Sequence, residues 1–419
     1  MLTHSDIQSL TDQSGSPFYF FDPNRFRSNC DGMTEAFGSR YNPFILAYSY
    51  KANYLPYVCR LVKELDSWAE VVSRMEYDLA IRIGHNPAKI IFNGPVKSQE
   101  DIYLALENGS LINLDCEPEL EMVLQYAKAY PDREINIGLR INIALSDSEG
   151  ISHIQNSLRV GRFGFAPAEL AAASRKLAAA DNLKIVGLHG HTSTTDRSVW
   201  CFKTITRTLL NVIRQNKLDE VQYINIGGGF FGPVPESIRW CNVPDWNEYA
   251  EAICGVLNKN QWVDSHQPAL IIEPGMSLVA DTMSFVTQVV SIKRIRKKTI
   301  VTVDGSAFHA KPTFHKINLP HILITDRTPR TEGVYDVAGS TCMEKDYLLT
   351  DVTGPIPQPG DYLKIDSVGA YTLVMSPSFI HPAPAVWALE EEGLRLIRSR
   401  QTLEDVFSSC VFGFDPEIF

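Results

Sequence analysis

The sequence predicts an α/β protein: a (β/α)8 TIM barrel followed by a C-terminal antiparallel β domain. Eight short runs rich in Ile, Leu, Val, Phe or Tyr each stop at polar residues or glycine. Segments with the spacing of amphipathic helices separate most of these runs. A strand and a helix that alternate eight times indicate a barrel, and the chemistry of such barrels lies at the carboxyl ends of the strands.

The predicted barrel strands all end at residues that can contact a ligand. The runs cover residues 44–53, 68–73, 90–94, 111–115, 135–142, 184–191, 223–229 and 269–275. The helices predicted between them include 55–65, 98–108, 117–130 and 167–179. The polar residues at the strand ends are Lys51, Ser73, Asn93, Asp115, Arg140, His189, His191, the glycine triplet 227–229 and Glu273. This set predicts an active site.

A second domain is indicated where the alternation of strands and helices stops, after residue 275. Segments 284–292, 299–304, 362–366 and 371–375 read as strands separated by turns that contain Gly or Pro. An N-terminal strand, 17–21, is expected to join their sheet. We therefore assign residues 1–22 to a strand that joins the β domain, 23–283 to the ligand-binding barrel and 284–419 to the C-terminal β domain.

Composition and charge narrow the classes of function. The net charge of −10 argues against a nucleic-acid partner. The polar N-terminus does not resemble a signal peptide, and no apolar stretch approaches the ~18 residues that span a bilayer. We therefore expect a cytoplasmic protein without a membrane partner. The eight cysteines are scattered without the spacing of zinc ligands, so no metal site is expected.

Lys51 and the glycine triplet are the first two candidate site features. A lysine at the end of a barrel strand can pair with an anionic ligand or form a Schiff base with a carbonyl. Burial disfavours the charged amine and would favour the second use. The backbone N–H groups of residues 227–229 can close around a phosphate, because no Cβ atoms obstruct them. The alternative for the triplet is a flexible turn.

Glu273, His189 and His191 complete the candidate chemistry. A carboxylate held against the ring nitrogen of a pyridine keeps that nitrogen protonated and makes the ring an electron sink. His191 can stack on such a ring. Because His189 and His191 face the same way on one strand, a metal-binding pair is the alternative. Taken together with Lys51 and the glycine triplet, these residues converge on pyridoxal phosphate as the cofactor.

Nine motifs in fixed order carry a resemblance to a known family. They are Tyr50-Lys-Ala-Asn53, Ile90-Ile-Phe-Asn-Gly-Pro95, Leu139-Arg-Ile-Asn142, Gly161-Arg-Phe-Gly164, Gly187-Leu-His-Gly-His191, Asn225-Ile-Gly-Gly-Gly229, Glu273-Pro-Gly275, Cys342 and Gly369-Ala-Tyr371. From about residue 17 to 385 the chain resembles the pyridoxal-phosphate decarboxylases of the alanine-racemase fold (fold type III). This family includes diaminopimelate, ornithine and biosynthetic arginine decarboxylases.

The resemblance implies a role for each matching residue. Lys51 would be the Schiff-base lysine, His191 would stack on the ring and Cys342 would be the proton donor. Cys342 would come from the neighbouring subunit, which implies a head-to-tail homodimer with shared active sites. The positions implied to contact the cofactor are Lys51, His191, Thr194 in place of a phosphate-binding Ser, Gly228, Gly229, Glu273, Gly275, Met276 and Tyr371. The positions implied to contact the substrate are Lys311, Met343, Glu344 and Tyr371.

The chain departs from the family where the far end of the substrate is recognised. Met276 replaces the arginine of the usual Glu-Pro-Gly-Arg motif, and Met343 replaces the acidic residue that usually follows the cysteine. Glu344 and Asp346 come after that position, in a different register. Lys311-Pro312 replaces an Arg-Pro pair, so one cation is retained. The cofactor half of the pattern is therefore intact, and the two methionines predict poor turnover of diaminopimelate and ornithine.

The expected function is the pyridoxal-phosphate-dependent removal of the α-carboxylate of an amino acid or an amino-acid conjugate. The two methionines favour a specialised pathway of the siderophore or antibiotic type. Alternatives are a diaminopimelate or ornithine decarboxylase proper, or an amino-acid racemase or epimerase of the same fold. Cys342 favours decarboxylation over racemisation. A non-catalytic carrier of the cofactor is a third class, and the β domain with Cys342 and Tyr371 argues against it.

Overall fold

A computed structural model describes residues 3–177, 179–238, 243–328 and 331–412. Cys241, the last residues assigned to the β domain (413–419) and residue 178 of a predicted helix lie outside this part of the chain. The described residues form two compact units, one of residues 25–280 without 235–238, the other of the remaining residues. The domain limits expected at residues 22 and 283 remain predictions, and the compact units divide at 24/25 and 280/281.

The strands are numbered along the chain. They are β1 (Phe18–Phe21), β2 (Phe44–Ser49), β3 (Trp68–Val71), β4 (Ile90–Phe92), β5 (Leu111–Leu114), β6 (Ile135–Arg140), β7 (Leu183–His189), β8 (Tyr223–Asn225), β9 (Ala269–Ile272), β10 (Met283–Ile295), β11 (Lys298–Val303), β12 (His321–Ile324), β13 (Glu332–Ala338), β14 (Tyr347–Pro355), β15 (Tyr362–Asp366), β16 (Ala385–Glu390) and β17 (Gly393–Arg398).

The helices are numbered in the same way. They are α1 (His4–Ser14), α2 (Pro23–Gly38), α3 (Pro56–Glu64), α4 (Arg74–Arg82), α5 (Gln99–Glu107), α6 (Glu117–Ala129), α7 (Pro167–Leu177), α8 (Val199–Asn216), α9 (Trp246–Leu257), α10 (Gln261–His266), α11 (Met276–Val279), α12 (Ala307–Ala310) and α13 (Leu403–Val406).

Strands β2 to β9 form a closed parallel barrel, as predicted from the eight apolar runs. The barrel closes where β2 pairs with β9, with Phe44 opposite Leu270. At one level of the interior Ala47, Ile91, Val186, Tyr223 and Ile271 pack together. The four helices predicted at 55–65, 98–108, 117–130 and 167–179 are confirmed as α3, α5, α6 and α7. Parallel strands place all their carboxyl ends at the same end of the barrel, so the predicted site residues meet there.

The second unit is built on a mixed sheet in the order β14-β13-β11-β10-β1-β16-β17, with β15 also paired to β10 and β12 paired to β15. The N-terminal β1 is antiparallel to β10 and parallel to β16. The sheet is mostly antiparallel, and a second parallel pair joins β11 to β13. The strands predicted at 284–292, 299–304 and 362–366 are confirmed as β10, β11 and β15.

The strand predicted at residues 371–375 is wrong. These residues form bends and a turn, and Tyr371 has φ = 58°, a left-handed conformation that cannot continue a strand. The sequence analysis also missed α1, although its N-terminal signal is present. Thr3 and Asp6 form a reciprocal capping box, and Ile7 and Leu10 are buried. In the part of the chain that the structure describes, no helix is both long enough and apolar enough to cross a membrane.

Candidate active site

Lys51 lies in a single turn of 3-10 helix, Tyr50–Ala52, directly after β2. Its Nζ donates hydrogen bonds to Ser49 Oγ at 2.6 Å and to Glu70 Oε2 at 2.5 Å. The Ser49 hydroxyl also donates to Glu70. The Lys51 side chain is 36% exposed, whereas that of Glu70 is 2% exposed. The amine is therefore accessible to a ligand and is held in place by a buried carboxylate.

A chain of side-chain amides connects Glu70 to Glu273 inside the barrel. Asn93 Nδ2 donates to Glu70 Oε1 at 3.1 Å and to Glu273 Oε1 at 2.7 Å. Asn225 Nδ2 donates to the same Glu273 oxygen at 2.6 Å. Because both amides belong to rigid barrel strands or their ends, they fix the orientation of the two carboxylates. Lys51 and Glu273 thus belong to one hydrogen-bonded network.

Glu273 stays ionised although it is buried. Burial alone would raise the pKa of its carboxyl group, but the neighbouring His189 and Lys51 and the amide of Asn225 hold the pKa below its ordinary value. His189 Nε2 lies 3.3 Å from Glu273 Oε2. An ionised carboxylate in this position can keep a ring nitrogen of a bound ligand protonated.

His191 is held in its neutral form. Burial and the positive charges of Arg140 and Lys51 lower its pKa to about 3. The Gly228 N–H donates to His191 Nδ1 at 3.3 Å, so this nitrogen acts as the acceptor. The imidazole lies parallel to that of His189, with an interplanar angle of 9°. An uncharged imidazole can present its face to an aromatic ligand without a competing charge.

The glycine triplet comes so close to its neighbours that side chains would collide. Gly227 has φ = 71°, and a Cβ there would lie 2.5 Å from His191 Cβ. A Cβ on Gly228 would lie 2.1 Å from the Glu273 carbonyl oxygen. The triplet thus packs directly against two candidate ligand-binding residues. The requirement for glycine here is steric and conformational, which strengthens its interpretation as a ligand-binding loop over that of a flexible turn.

The four remaining cofactor positions predicted in the barrel unit are Thr194, Gly229, Gly275 and Met276. Thr194 Oγ1 accepts a hydrogen bond from the Arg197 N–H at 3.1 Å. Gly275 packs against Ala52, beside Lys51, and a Cβ on it would lie 2.8 Å from Ala52 Cβ. Met276 begins α11, and its Sδ lies 3.8 Å from Arg197 Nη1. Gly229 is exposed.

The remaining predicted residues belong to the second unit. Cys342 and Glu344 are exposed and Met343 is half-buried on the segment between β13 and β14. Asp346 organises this segment, because its carboxylate accepts from the Thr341 and Ala307 N–H groups, among others. Asp346 is thus a structural residue. Elsewhere in this unit Lys311 is buried, with its pKa lowered by that burial, and Tyr371 is 36% exposed.

Sequence reasoning did not single out Glu70, Asn225 or Arg197 as site residues. A carboxylate in the middle of an apolar strand was the available signal for Glu70, because acidic residues are rarely buried without a partner. Asn225 entered the sequence analysis only as the first residue of the Asn225-Ile-Gly-Gly-Gly229 motif. No pattern marked Arg197, which lies in the loop between β7 and α8.

The groups at the carboxyl end of the barrel fit pyridoxal phosphate. An accessible amine suits its aldehyde, an ionised carboxylate suits its ring nitrogen, and a neutral imidazole suits the face of its ring. The glycine triplet and the Thr194 hydroxyl provide donors for its phosphate. A closed barrel with this set of groups defines a pyridoxal-phosphate enzyme of fold type III.

Comparison with known proteins agrees with this class. Residues 24–280 match the family described as "Pyridoxal-dependent decarboxylase, pyridoxal binding domain", and the chain belongs to this family. Among similar proteins, the diaminopimelate decarboxylase of Helicobacter pylori strain J99 is 29% identical over 96% of this chain and 96% of its own. The probable chloroplastic diaminopimelate decarboxylase of Oryza sativa is 28% identical over 93% of this chain and 78% of its own.

Solved structures show the same fold over nearly the whole chain. The diaminopimelate decarboxylase of M. jannaschii, in complex with L-lysine, has a TM-score of 0.86 at 26% identity and covers 99% of this chain and 96% of its own. The Helicobacter pylori enzyme, also complexed with L-lysine, has a TM-score of 0.82 at 25% identity, with 96% and 98% covered. The protein is accordingly an amino-acid decarboxylase that uses pyridoxal phosphate.

Proposed function

We propose that the protein removes one α-carboxylate of meso-diaminopimelate and produces lysine and CO2. The observation that carries this proposal is the likeness to diaminopimelate decarboxylases over more than 90% of the chain. Relatives of similar fold bind L-lysine, which is what remains when diaminopimelate loses one carboxylate. This likeness favours diaminopimelate over the specialised substrate that the two methionines predicted.

We assign roles to the barrel residues from their contacts. When bound, pyridoxal phosphate withdraws electrons from the α-carbon of the substrate and so makes loss of the carboxylate feasible. Lys51 would hold the cofactor through its aldehyde group, which leaves its oxygen as water, and Glu70, 2.5 Å from the amine, would accept and return the proton of that amine. Glu273 would keep the ring nitrogen protonated. His191 would pack against the ring, and the glycine triplet with Thr194 would bind the phosphate.

We assign the residues of the second unit by a different argument. Cys342 is exposed on the segment that Asp346 organises, so its thiol is accessible from outside its own subunit. A general acid at the α-carbon contributes typically ~10²–10⁴-fold to the rate. We propose that Cys342 donates the proton that replaces CO2, and that Lys311, Met343, Glu344 and Tyr371 surround the side chain of the substrate. The enzyme is then a homodimer with shared sites.

Mixing two inactive variants tests the shared site. Lys51→Ala and Cys342→Ala subunits, mixed one to one and allowed to exchange, should recover up to about a quarter of wild-type activity. Half of the dimers are then mixed, and one of their two sites has both intact residues. CO2 release is measured before and after exchange. Lys51→Ala exchanged with itself should recover nothing, and proven exchange without recovered activity would exclude a shared site.

A second candidate substrate rests on Met276 and Met343. A methionine offers neither the bidentate fork of arginine nor the strong acceptors of a carboxylate. A site that leaves a substrate charge without a partner can discriminate against that substrate by ~10⁴ or more. An amino-acid conjugate with one anionic or hydrogen-bonding far group, held by Lys311, would avoid this penalty.

A CO2-release screen separates the two candidates. Turnover of meso-diaminopimelate with kcat/KM of ~10⁴ M⁻¹s⁻¹ or more supports the first candidate, whereas a lower value together with turnover of a conjugate supports the second. L-ornithine is included in the screen. The double variant Met276→Arg with Met343→Glu should raise kcat/KM on diaminopimelate relative to wild type. Met75→Arg, which adds a cation at an exposed methionine of α4, is the matched control.

A further inference from the structure

Arg197 places a guanidinium among the predicted phosphate-binding residues. Its Cζ lies 5.0 Å from the centre of the Phe231 ring, two residues beyond the glycine triplet. Its Nη1 lies 3.8 Å from Met276 Sδ, at the start of α11. Its backbone N–H donates to the hydroxyl of Thr194. Arg197 therefore contacts the segments that follow β7, β8 and β9, and these segments carry the predicted cradle.

The backbone of Arg197 is fixed from both sides. Besides the contact to Thr194, its carbonyl oxygen accepts a hydrogen bond from the Tyr249 hydroxyl at 2.6 Å. Tyr249 is fully buried and packs edge-on against Phe202 and Phe230. Arg197 also has φ = 49°, a conformation that non-glycine residues rarely adopt. Such a conformation persists only where the surroundings impose it, which is common at ligand sites.

The guanidinium of Arg197 suits an anionic ligand. Its two described contacts are of kinds that accommodate a cation, because a thioether sulfur is a weak acceptor and an aromatic face attracts a cation. A guanidinium binds a phosphate in bidentate geometry. Arg140, at the end of β6, is directed to Asp115 and to the His191 carbonyl oxygen.

We propose that Arg197 binds the phosphate group of pyridoxal phosphate, together with Thr194 and the glycine triplet. Met276 packs beside the guanidinium. This assignment concerns the cofactor alone, so it does not depend on which amino acid is decarboxylated. It gives the phosphate a cationic partner from the loop between β7 and α8.

Comparing the cofactor with its dephosphorylated form tests the proposal. The cofactor is released from the holoenzyme with hydroxylamine, which captures its aldehyde as an oxime, and is removed by dialysis. The protein is then titrated with pyridoxal phosphate and with pyridoxal, and binding is followed by absorbance. Arg197→Gln should weaken pyridoxal phosphate binding by roughly 10- to 100-fold, the range for loss of a hydrogen bond to a charged group, and leave pyridoxal binding unchanged. Arg197→Lys keeps a point charge at this position, so it should retain part of the preference for pyridoxal phosphate over pyridoxal.

Arg133→Gln provides a matched control. Arg133 also lies over an aromatic ring, with its Cζ 5.1 Å from the centre of the Tyr130 ring. It precedes β6, however, and so lies at the other end of the barrel. This variant should bind both compounds like wild type. Thermal unfolding shows whether Arg197→Gln is folded. Arg197→Lys, which keeps the positive charge, provides a second variant if Arg197→Gln is not.

Three results would overturn the proposal. The first is unchanged pyridoxal phosphate affinity in both Arg197 variants. The second is an equal loss of affinity for both compounds, which would indicate a purely structural role. The third is an unchanged cofactor affinity with a raised KM for the amino acid, which would assign the guanidinium to a substrate carboxylate.

Discussion

Replacement of Lys51 by alanine is expected to lower kcat by at least about 10³-fold, which is a loss of about 4 kcal/mol in transition-state stabilisation. The physical reason is that the amine at the end of β2 is positioned by Ser49 and Glu70 to act as the nucleophile that holds the cofactor. Alanine provides no nucleophile. The purified variant should also lack the absorbance band near the visible edge that the wild type shows and loses on treatment with borohydride.

Two further variants sharpen this test. Lys51→Arg keeps the positive charge beside Glu70 but is a poor nucleophile, so it should be as inactive as Lys51→Ala. Lys89→Ala removes another lysine that pairs with a carboxylate, Asp66, but precedes β4 at the opposite end of the barrel. Its activity should match wild type. Substantial activity in Lys51→Arg would show that the charge of Lys51 is what matters, and wild-type protein that binds no chromophore would contradict the assignment altogether.

Replacement of Lys97 by methionine is expected to cost about 3–5 kcal/mol of unfolding free energy, the range for breaking a buried ion pair. The side chains of Lys97 and Glu119 are 0% and 3% exposed, and Lys97 Nζ lies 2.8 Å from Glu119 Oε2. Burial lowers the pKa of Lys97, but the Glu119 carboxylate opposes this shift. Without the lysine, Glu119 is left as a buried charge that has lost its cation.

The location of this pair explains why its loss should spread to the active site. Glu119 also accepts hydrogen bonds from the backbone N–H groups of Lys97 and Asp115, and Lys97 Nζ donates to the Gly94 carbonyl oxygen. The pair therefore joins the segments that follow β4 and β5. Asp115 is held in this way, and its Oδ1 lies 3.4 Å from Arg140 Nη1. We expect Lys97→Met to reduce activity as well as stability.

Matched variants separate burial from charge loss. Lys176→Met removes an exposed lysine that pairs with Glu117 and Glu121, and it should cost less than about 1 kcal/mol. Adding Glu119→Gln to Lys97→Met removes the uncompensated charge and keeps an acceptor for one of the two N–H groups, so it should recover part of the loss. Urea unfolding of all variants provides the comparison. An equal cost for Lys97→Met and Lys176→Met would rule out a special contribution of the buried pair.

The sequence was sufficient for the barrel and for a proposal of the residues on the cofactor side of the site. Each barrel strand is a local apolar run with an abrupt polar end, and parallel strands must bring those ends together. Lys51, His191 and Glu273 could be found in this way because each stands at or just beyond a strand end. The same local logic located α3, α5, α6 and α7, because the spacing of apolar residues in each helix is a local property of the sequence.

The sheet of the second unit was harder to predict. β12, β13, β14, β16 and β17 were not identified, because several have exposed faces and lack a continuous apolar run. The strand prediction for residues 371–375 was wrong for the opposite reason. They are apolar enough to suggest a strand, but the left-handed backbone at Tyr371 depends on the surrounding fold.

The sequence by itself determined the barrel, the cofactor and the family of this protein, because those depend on residue types at fixed places along each strand. Only the tertiary structure decided which groups act together. Glu70 and Lys51 are separated by 19 residues, Asn93 and Glu273 by 180, and Arg197 and Met276 by 79. Contacts over such separations are set by closure of the barrel, which places side chains from distant strands within hydrogen-bonding distance.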